Sequence, residues 1–98
     1  MHSVTIITLT CNRLRKLQAC LDRLLPQLGP TDEILLIDTG SADGTREHFD
    51  AWTHPAVRMV PFDGEGSWAE IRNFAVRQAR GVLIAFVDDD CLVEEGWL

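Results

Sequence analysis

The chain has 98 residues, enough for one domain with a modest core, and its 46% hydrophobic and 24% charged residues are typical of a globular protein. A net charge of −6 argues against nucleic acid as the main partner. No apolar stretch approaches the ~20 residues of a membrane span, and three cysteines without a CxxC pair favour reduced thiols in the cytoplasm.

Strand-like and helix-like segments alternate along the chain. The β-branched, apolar run 4–9 predicts a buried strand, and leucines spaced by three and four over 14–28 predict an amphipathic helix. Asn12 is expected to cap this helix and Pro26 to end it. The run 33–38 predicts a second buried strand.

The second half continues the alternation. Asp43 is expected to cap a short helix, and residues 57–62 predict a third strand that Pro61 places at the edge of the sheet. Ser67 and Glu70 have the spacing of a capping box and predict the start of a third helix. The order β-α-β-α-β-α-β predicts an α/β, Rossmann-like three-layer sandwich with a mainly parallel sheet of about four strands.

Three consecutive carboxylates, Asp88, Asp89 and Asp90, follow a fourth apolar run, 82–87, which predicts another buried strand, and Gly81 before it is expected to end the third helix. Like charges this close repel, so a cation should compensate them. A divalent ion, Mg²⁺ or Mn²⁺, that bridges to a phosphorylated ligand fits best. In an extended chain the first and third aspartates point to one side and the second to the other.

Three further segments follow predicted strands or lie near them. Asp38 ends the second strand and can accept from a base N–H or a ribose hydroxyl, or instead from its own loop. Residues 8–13 can offer backbone amides to a nucleotide, or simply form a β-to-α turn. Arg72 can neutralise a diphosphate, pair with the aspartates or remain solvated.

These pieces together resemble the nucleotide-binding half of family 2 glycosyltransferases, which have the GT-A fold. Four motifs in order carry the resemblance: T-L-T-C-N-R (8–13), I-D-T-G-S-A-D-G-T (37–45), I-R-N (71–73) and F-V-D-D-D (86–90). This chain departs from the family pattern at Leu9, Cys11 and Thr39, where the family has proline, tyrosine and aspartate. These departures affect the choice of nucleotide rather than the fold.

The resemblance implies a set of site residues and a cofactor. It implies nucleotide contacts from Thr10, Asn12, Asp38, Arg72, Asp88 and Asp89. It implies that Mg²⁺ or Mn²⁺ is bound by Asp88 and Asp90, with Asp90 most directly on the metal.

The resemblance also implies a reaction, an inverting transfer of a sugar from a nucleotide-diphosphate donor to an acceptor hydroxyl on a saccharide, lipid or protein. In the family the carboxylate base lies on the acceptor-binding half, beyond the last motif, and this chain ends at Leu98. We therefore expect residues 1–98 to form a single nucleotide-sugar-binding domain, truncated before that half, which binds nucleotide weakly and does not catalyse transfer alone. The missing half would leave an uncovered sheet edge that favours a homodimer, and a longer parent can be membrane-associated.

Two alternatives stay open at this point. The string G-E-G-S-W-A (64–69) matches the dinucleotide fingerprint, and Asp88 ends a strand about twenty residues later, as in an NAD(P)-binding domain of an oxidoreductase. The other alternative is a non-catalytic nucleotide-sugar-binding module.

Overall fold

A computed structural model describes residues 3–98 as a four-stranded sheet between two helical layers. The strands are β1 (Val4–Thr10), β2 (Glu33–Asp38), β3 (Val57–Pro61) and β4 (Leu83–Phe86), and the helices are α1 (Leu14–Leu24), α2 (Thr45–Ala51) and α3 (Trp68–Gln78). All neighbouring strands are parallel. The α/β three-layer sandwich predicted from the sequence is confirmed. Among the described residues, no helix is both long enough and apolar enough to cross a membrane.

Alternation along the two central strands supplies two separate apolar cores. Even-numbered side chains face α1 and α2, and odd-numbered side chains face α3: Ile6, Ile34 and Leu36 on the first face, Ile7, Leu35 and Ile37 on the second. All six are fully buried, because β1 and β2 each have a strand on both sides and helices on both faces.

The strand order β3-β2-β1-β4 determines where a ligand can bind. The chain moves outward from β1 to β2 to β3, and α3 then carries it back across the opposite face to β4, which lies beside β1. The carboxyl ends of β1 and β4 therefore form the point where the direction of winding reverses, which is the usual ligand crevice of open α/β sheets. Because Ile7 lies opposite Phe86, the residues that follow β4 extend beside the end of β1.

The two edge strands differ in how well the sequence predicted them. β3 is an edge strand, as Pro61 indicated. β4 also lies at an edge, in agreement with the uncovered sheet edge that we expected, but the prediction that residues 82–87 are buried was wrong, because Leu83 and Phe86 are 50% and 46% exposed. An apolar run resembles a buried strand in sequence even when no neighbouring strand covers it.

The N-terminus of α1 is capped differently from the prediction. Asn12 lies before the helix, and the backbone N–H of Leu14 donates instead to Asp43 Oδ2, at 3.2 Å. Asp43 Oδ1 accepts from the backbone N–H of Thr45 at 3.1 Å, so one carboxylate caps both α1 and α2. The Thr45 hydroxyl and these N–H groups hold the pKa of the Asp43 carboxyl below its usual range.

The α3 helix begins as predicted but ends earlier. Ser67 and Glu70 form the reciprocal hydrogen bonds of a capping box. The helix ends at Gln78, so Gly81 is not its C-terminal residue. A Cβ at Gly81 would lie 2.6 Å from the backbone nitrogen of Thr5, and this close approach to β1 is what requires glycine there.

Glu33 joins all four strand regions at the amino end of the sheet. Its carboxylate accepts from the Thr5 hydroxyl at 2.7 Å, from Arg58 Nε at 3.0 Å and from the backbone N–H of Arg80 at 2.8 Å. Partial burial acts to raise the pKa of the Glu33 carboxyl, but the hydrogen bonds from Arg58, Thr5 and Arg80 outweigh it and hold this pKa below its ordinary value.

We predict that Glu33→Gln lowers the free energy of unfolding by roughly 1–3 kcal/mol at neutral pH, because a charge-assisted acceptor of three donors is lost. A lowered folded-state pKa stabilises the fold above the unfolded-state pKa, and this stabilisation is lost as the pH falls through the lowered value. Urea unfolding across the acid range should therefore show a shallower pH dependence in Glu33→Gln than in the exposed control Glu95→Gln. Equal pH dependence in the two variants would contradict this role.

Candidate functional site

A cleft of about 470 Å³ opens at the carboxyl ends of β1 and β4. It is formed by the end of β1 and its following turn, the segment after β4 and the first turn of α3. Its lining residues are Ile7, Leu9, Thr10, Cys11, Arg13, Thr39, Trp68, Arg72, Phe86, Val87, Asp88, Asp89 and Asp90. The cleft therefore lies at the reversal point of the sheet, and it contains the whole triple aspartate.

The middle aspartate is held inside the protein. Asp89 is 7% exposed, and its Oδ2 accepts from the Thr10 hydroxyl at 3.0 Å. Its Oδ1 lies 3.3 Å from Arg13 Nη1, which also lies 3.5 Å from Asp90 Oδ2. Arg13 thus supplies part of the positive charge that three adjacent carboxylates require. Sequence reasoning did not single out Arg13, although its place directly after β1, on the same rim, was the available signal.

The outer two aspartates are exposed on the cleft, but they do not continue a strand. β4 ends at Phe86, and the backbone N–H of Cys91 donates to the Asp88 carbonyl oxygen at 3.1 Å, so a turn rather than an extended chain carries the aspartates. Asp88 and Asp90 are exposed, and together with Cys91 each offers one atom in a group whose members lie within 4.8 Å of one another. Within residues 3–98 the Asp88 carboxylate forms no ion pair. Two carboxylates suit a hard divalent cation, whereas a thiol is a soft ligand, so the donor set fits Mg²⁺ or Mn²⁺ on Asp88 and Asp90.

Arg72, on α3, also lines the cleft. Its guanidinium lies 5.7 Å from the centre of the Phe86 ring, a cation–π contact. Within residues 3–98, the ion pairs of the triple aspartate are made by Arg13 and not by Arg72. The predicted pairing of Arg72 with these aspartates is therefore not seen, and its exposed charge lies on the cleft.

Two predicted nucleotide-binding residues do not line this cleft. Asp38 is fully buried and accepts from Arg46 Nε and from the backbone N–H of Ser41. The hydrogen bonds of Arg46 to Asp38 and to Asp63 raise the pKa of its guanidinium. Asn12 has a left-handed backbone, with φ of 54°, and its Oδ1 accepts from the backbone N–H of Ala42 at 2.6 Å. Both residues order the loops after β1 and β2, and their contact with nucleotide stays a prediction.

The buried thiol behind the aspartates is structural. Cys20 is fully buried on α1, and its Sγ lies 3.7 Å from the backbone oxygen of Asp88. Burial, followed by the nearby Cys91, Asp89 and Asp90, raises the pKa of the Cys20 thiol to about 11. A thiol that stays protonated at neutral pH is a poor nucleophile.

The dinucleotide alternative conflicts with the strand order. The fingerprint needs its glycine loop and its acidic residue on neighbouring strands of one βαβ unit. Here the loop follows β3 and Asp88 follows β4, which are opposite edges of the sheet, about 14 Å apart at the usual strand spacing. Gly66 instead accommodates packing, since a Cβ there would lie 3.0 Å from the Phe62 ring.

Comparison with known proteins assigns the family. The model of "Glycosyl transferase family 2" matches residues 5–98. The chain belongs to this family. The glycosyltransferase AglE of Haloferax volcanii is 32% identical over 97% of this chain and 33% of its own length. The glycosyltransferase GlyG of Streptococcus pneumoniae is 29% identical over 97% of this chain and 32% of its own length. The chain thus spans about a third of the length of the curated relatives it matches.

A solved structure shows the same fold. The mannosyltransferase PcManGT from Pyrobaculum calidifontis, in complex with GDP-Man and Mn²⁺, superposes with a TM-score of 0.77 and is 32% identical; the match covers 91% of this chain and 28% of that one. The expected family and the GT-A fold are therefore confirmed for this family 2 chain.

We predict that Thr10→Val lowers the free energy of unfolding by roughly 1–3 kcal/mol, because the buried Asp89 carboxylate loses a hydrogen-bond donor. Thr8→Val is the matched control: Thr8 lies two residues earlier on the same strand face, is fully buried, and its hydroxyl has no hydrogen-bond partner within residues 3–98. Urea unfolding should show Thr8→Val unchanged or more stable. Equal destabilisation of both variants would mean that the loss reflects packing rather than support of Asp89.

Proposed function

We propose that the cleft binds the diphosphate of a nucleotide-diphosphate sugar through Mg²⁺ or Mn²⁺ held by Asp88 and Asp90. The observation that carries this proposal is the pair of exposed carboxylates on the cleft, at the reversal point of the sheet. The bound cation would neutralise negative charge on the departing diphosphate. The 32% identity to a mannosyltransferase complexed with GDP-Man and Mn²⁺ supports both the donor class and the cation.

Other residues of this chain support the metal-binding carboxylates or contribute to nucleotide binding. Thr10 and Arg13 hold Asp89, so the flanking carboxylates project into the cleft. Arg72 places a second positive charge in the same cleft as the aspartates. We assign Thr10, Asn12, Asp38, Arg72, Asp88 and Asp89 to the nucleotide-binding region, with Asn12 and Asp38 acting through the loops that they order.

The reaction proposed for the whole protein is transfer of the donor sugar to an acceptor hydroxyl with inversion at the sugar carbon. Such a transfer needs a carboxylate that takes the acceptor's proton. We assign residues 1–98 to donor binding and place the base and the acceptor site in a region that this chain does not include. Three free thiols within the described residues support a reducing, cytoplasmic location.

We predict that UDP or GDP binds this chain in the presence of Mn²⁺ and that Asp90→Asn raises the dissociation constant at least about tenfold, because a metal ligand is lost. Isothermal titration calorimetry with Mn²⁺, Mg²⁺ and EDTA measures the effect. Asp50→Asn is the matched control, since Asp50 is exposed on α2 and the charge change is identical. Undiminished binding in EDTA, or the same loss in Asp50→Asn, would sink the metal-bridge proposal.

We also propose that two copies of this chain pair through β4. The strand Leu83–Phe86 has no neighbour on its outer side within the described residues, and it carries no charge or proline that would block pairing. The other edge strand, β3, carries Arg58 and Pro61, which discourage it. The exposed β4 edge is therefore the edge with which a second copy of the chain pairs most readily.

We predict that sedimentation equilibrium of the 98-residue chain shows a concentration-dependent dimer. Ile84→Lys, which places a charge on the β4 edge, should shift the chain to monomer. Ala51→Lys is the control, because Ala51 is exposed at the end of α2, which connects β2 to β3 at the opposite side of the sheet. A wild-type chain that stays monomeric at every concentration would contradict the pairing.

A further inference from the structure

Trp68 is a large apolar side chain that lies on the cleft with most of its surface in water. It is 65% exposed, the most of any tryptophan in the described chain. Within residues 3–98 its indole pairs with no other ring, whereas Trp52 stacks with His48 and lies edge-on to Phe49. An indole exposed on a cleft offers a large, flat apolar surface that a ligand can cover.

A capping box orders the backbone that carries this indole. Trp68 is the first residue of α3 and follows Ser67, whose hydroxyl accepts from the Glu70 N–H at 3.1 Å. The Glu70 carboxylate in turn accepts from the Ser67 N–H at 3.3 Å. Because the backbone at Trp68 is already ordered, little conformational freedom of the chain is lost when a ligand covers the ring.

Trp68 belongs to a wall made of planar groups. Arg72 lies one helical turn further along the same face of α3, and its guanidinium lies over the Phe86 ring. All three residues line the same cleft as Asp88 and Asp90. The cleft therefore has an acidic region that suits a cation and diphosphate, and a wall of flat indole, guanidinium and phenyl groups.

We infer that Trp68 stacks on the base of the nucleoside diphosphate. This inference rests on the proposed function, which places the diphosphate at Asp88 and Asp90. A base is a flat aromatic ring that matches planar groups across its whole face, whereas a sugar ring is puckered and carries hydroxyls. Base–aromatic stacking tolerates any base, so Trp68 strengthens binding of UDP and GDP alike.

The test compares ligands with and without a base. Dissociation constants for UDP, GDP, UDP-glucose and inorganic pyrophosphate, each with Mn²⁺, are measured by calorimetry for the wild type and for Trp68→Ala, Trp68→Phe and Trp97→Ala. Trp97 is a matched control, because it is 45% exposed and does not line the cleft. Circular dichroism and urea unfolding confirm that each variant is folded.

We expect Trp68→Ala to weaken UDP and GDP binding by about 5- to 100-fold and to leave pyrophosphate binding unchanged. Trp68→Phe should recover most of the affinity, and Trp97→Ala should behave as wild type. UDP should quench tryptophan fluorescence in the wild type and in Trp97→Ala, and much less in Trp68→Phe.

The contrary outcomes separate this inference from the proposed function. Suppose that the wild type binds pyrophosphate and UDP with Mn²⁺. If Trp68→Ala then binds UDP as tightly as the wild type, or loses as much affinity for pyrophosphate as for UDP, only the stacking role is overturned. If Trp68→Ala weakens UDP-glucose but not UDP, the indole contacts the sugar and the inference is also wrong. If the wild type binds none of these ligands with Mn²⁺, the proposed function fails and the stacking role fails with it.

Discussion

The burial of Asp89 between the Thr10 hydroxyl and the Arg13 guanidinium determines how three adjacent carboxylates are arranged. Three like charges on consecutive residues are tolerated only when something compensates them. The protein neutralises the middle carboxylate internally and leaves the flanking pair, Asp88 and Asp90, on the cleft. Internal support for one carboxylate and exposure of two is the arrangement that a hard, bridging cation requires.

This arrangement depends on strand order. If β4 followed β3 as a neighbour, its carboxyl end would lie far from β1, and neither Thr10 nor Arg13 would reach Asp89. The crossover through α3 places β4 beside β1 instead, which brings motifs separated by more than seventy residues into one cleft. The same crossover leaves β4 at the edge of the sheet, with apolar side chains exposed. The binding cleft and the open edge thus share one cause.

Local patterns in the sequence predicted most of the elements. The apolar runs predicted β1, β2 and β3 to within a residue, and the Ser67–Glu70 spacing predicted the start of α3, because these signals depend on neighbours in the chain. The incorrect predictions concern residues whose contacts are with neighbours in space rather than along the chain. The apolar run of β4 suggested burial although the resemblance implied an uncovered edge, and Gly81 is needed for close contact with Thr5, not for ending a helix. Asp43 caps α1 from twenty-nine residues away.

In the candidate site, too, features that depend on adjacent residues were predicted, whereas contacts between distant residues were not. The triple aspartate stood out from the sequence because the repulsion between its charges has no local remedy, whereas the turn that begins at Asp88 was not predicted. Arg13 was missed because its partners lie 76 residues further along the chain. The glycine-rich fingerprint was misleading for the related reason that a motif fixes a loop's local form but not which strands flank it.

The central claim is that Asp88 and Asp90 hold a divalent cation that bridges to a nucleoside diphosphate. A crystal structure of this chain grown with Mn²⁺ and UDP or GDP tests it most directly, because the anomalous signal of manganese locates the ion. The account predicts one manganese ion between these two carboxylates, coordinated also by diphosphate oxygens. A diphosphate bound at the loop before α3, or manganese coordinated by other residues, would contradict it.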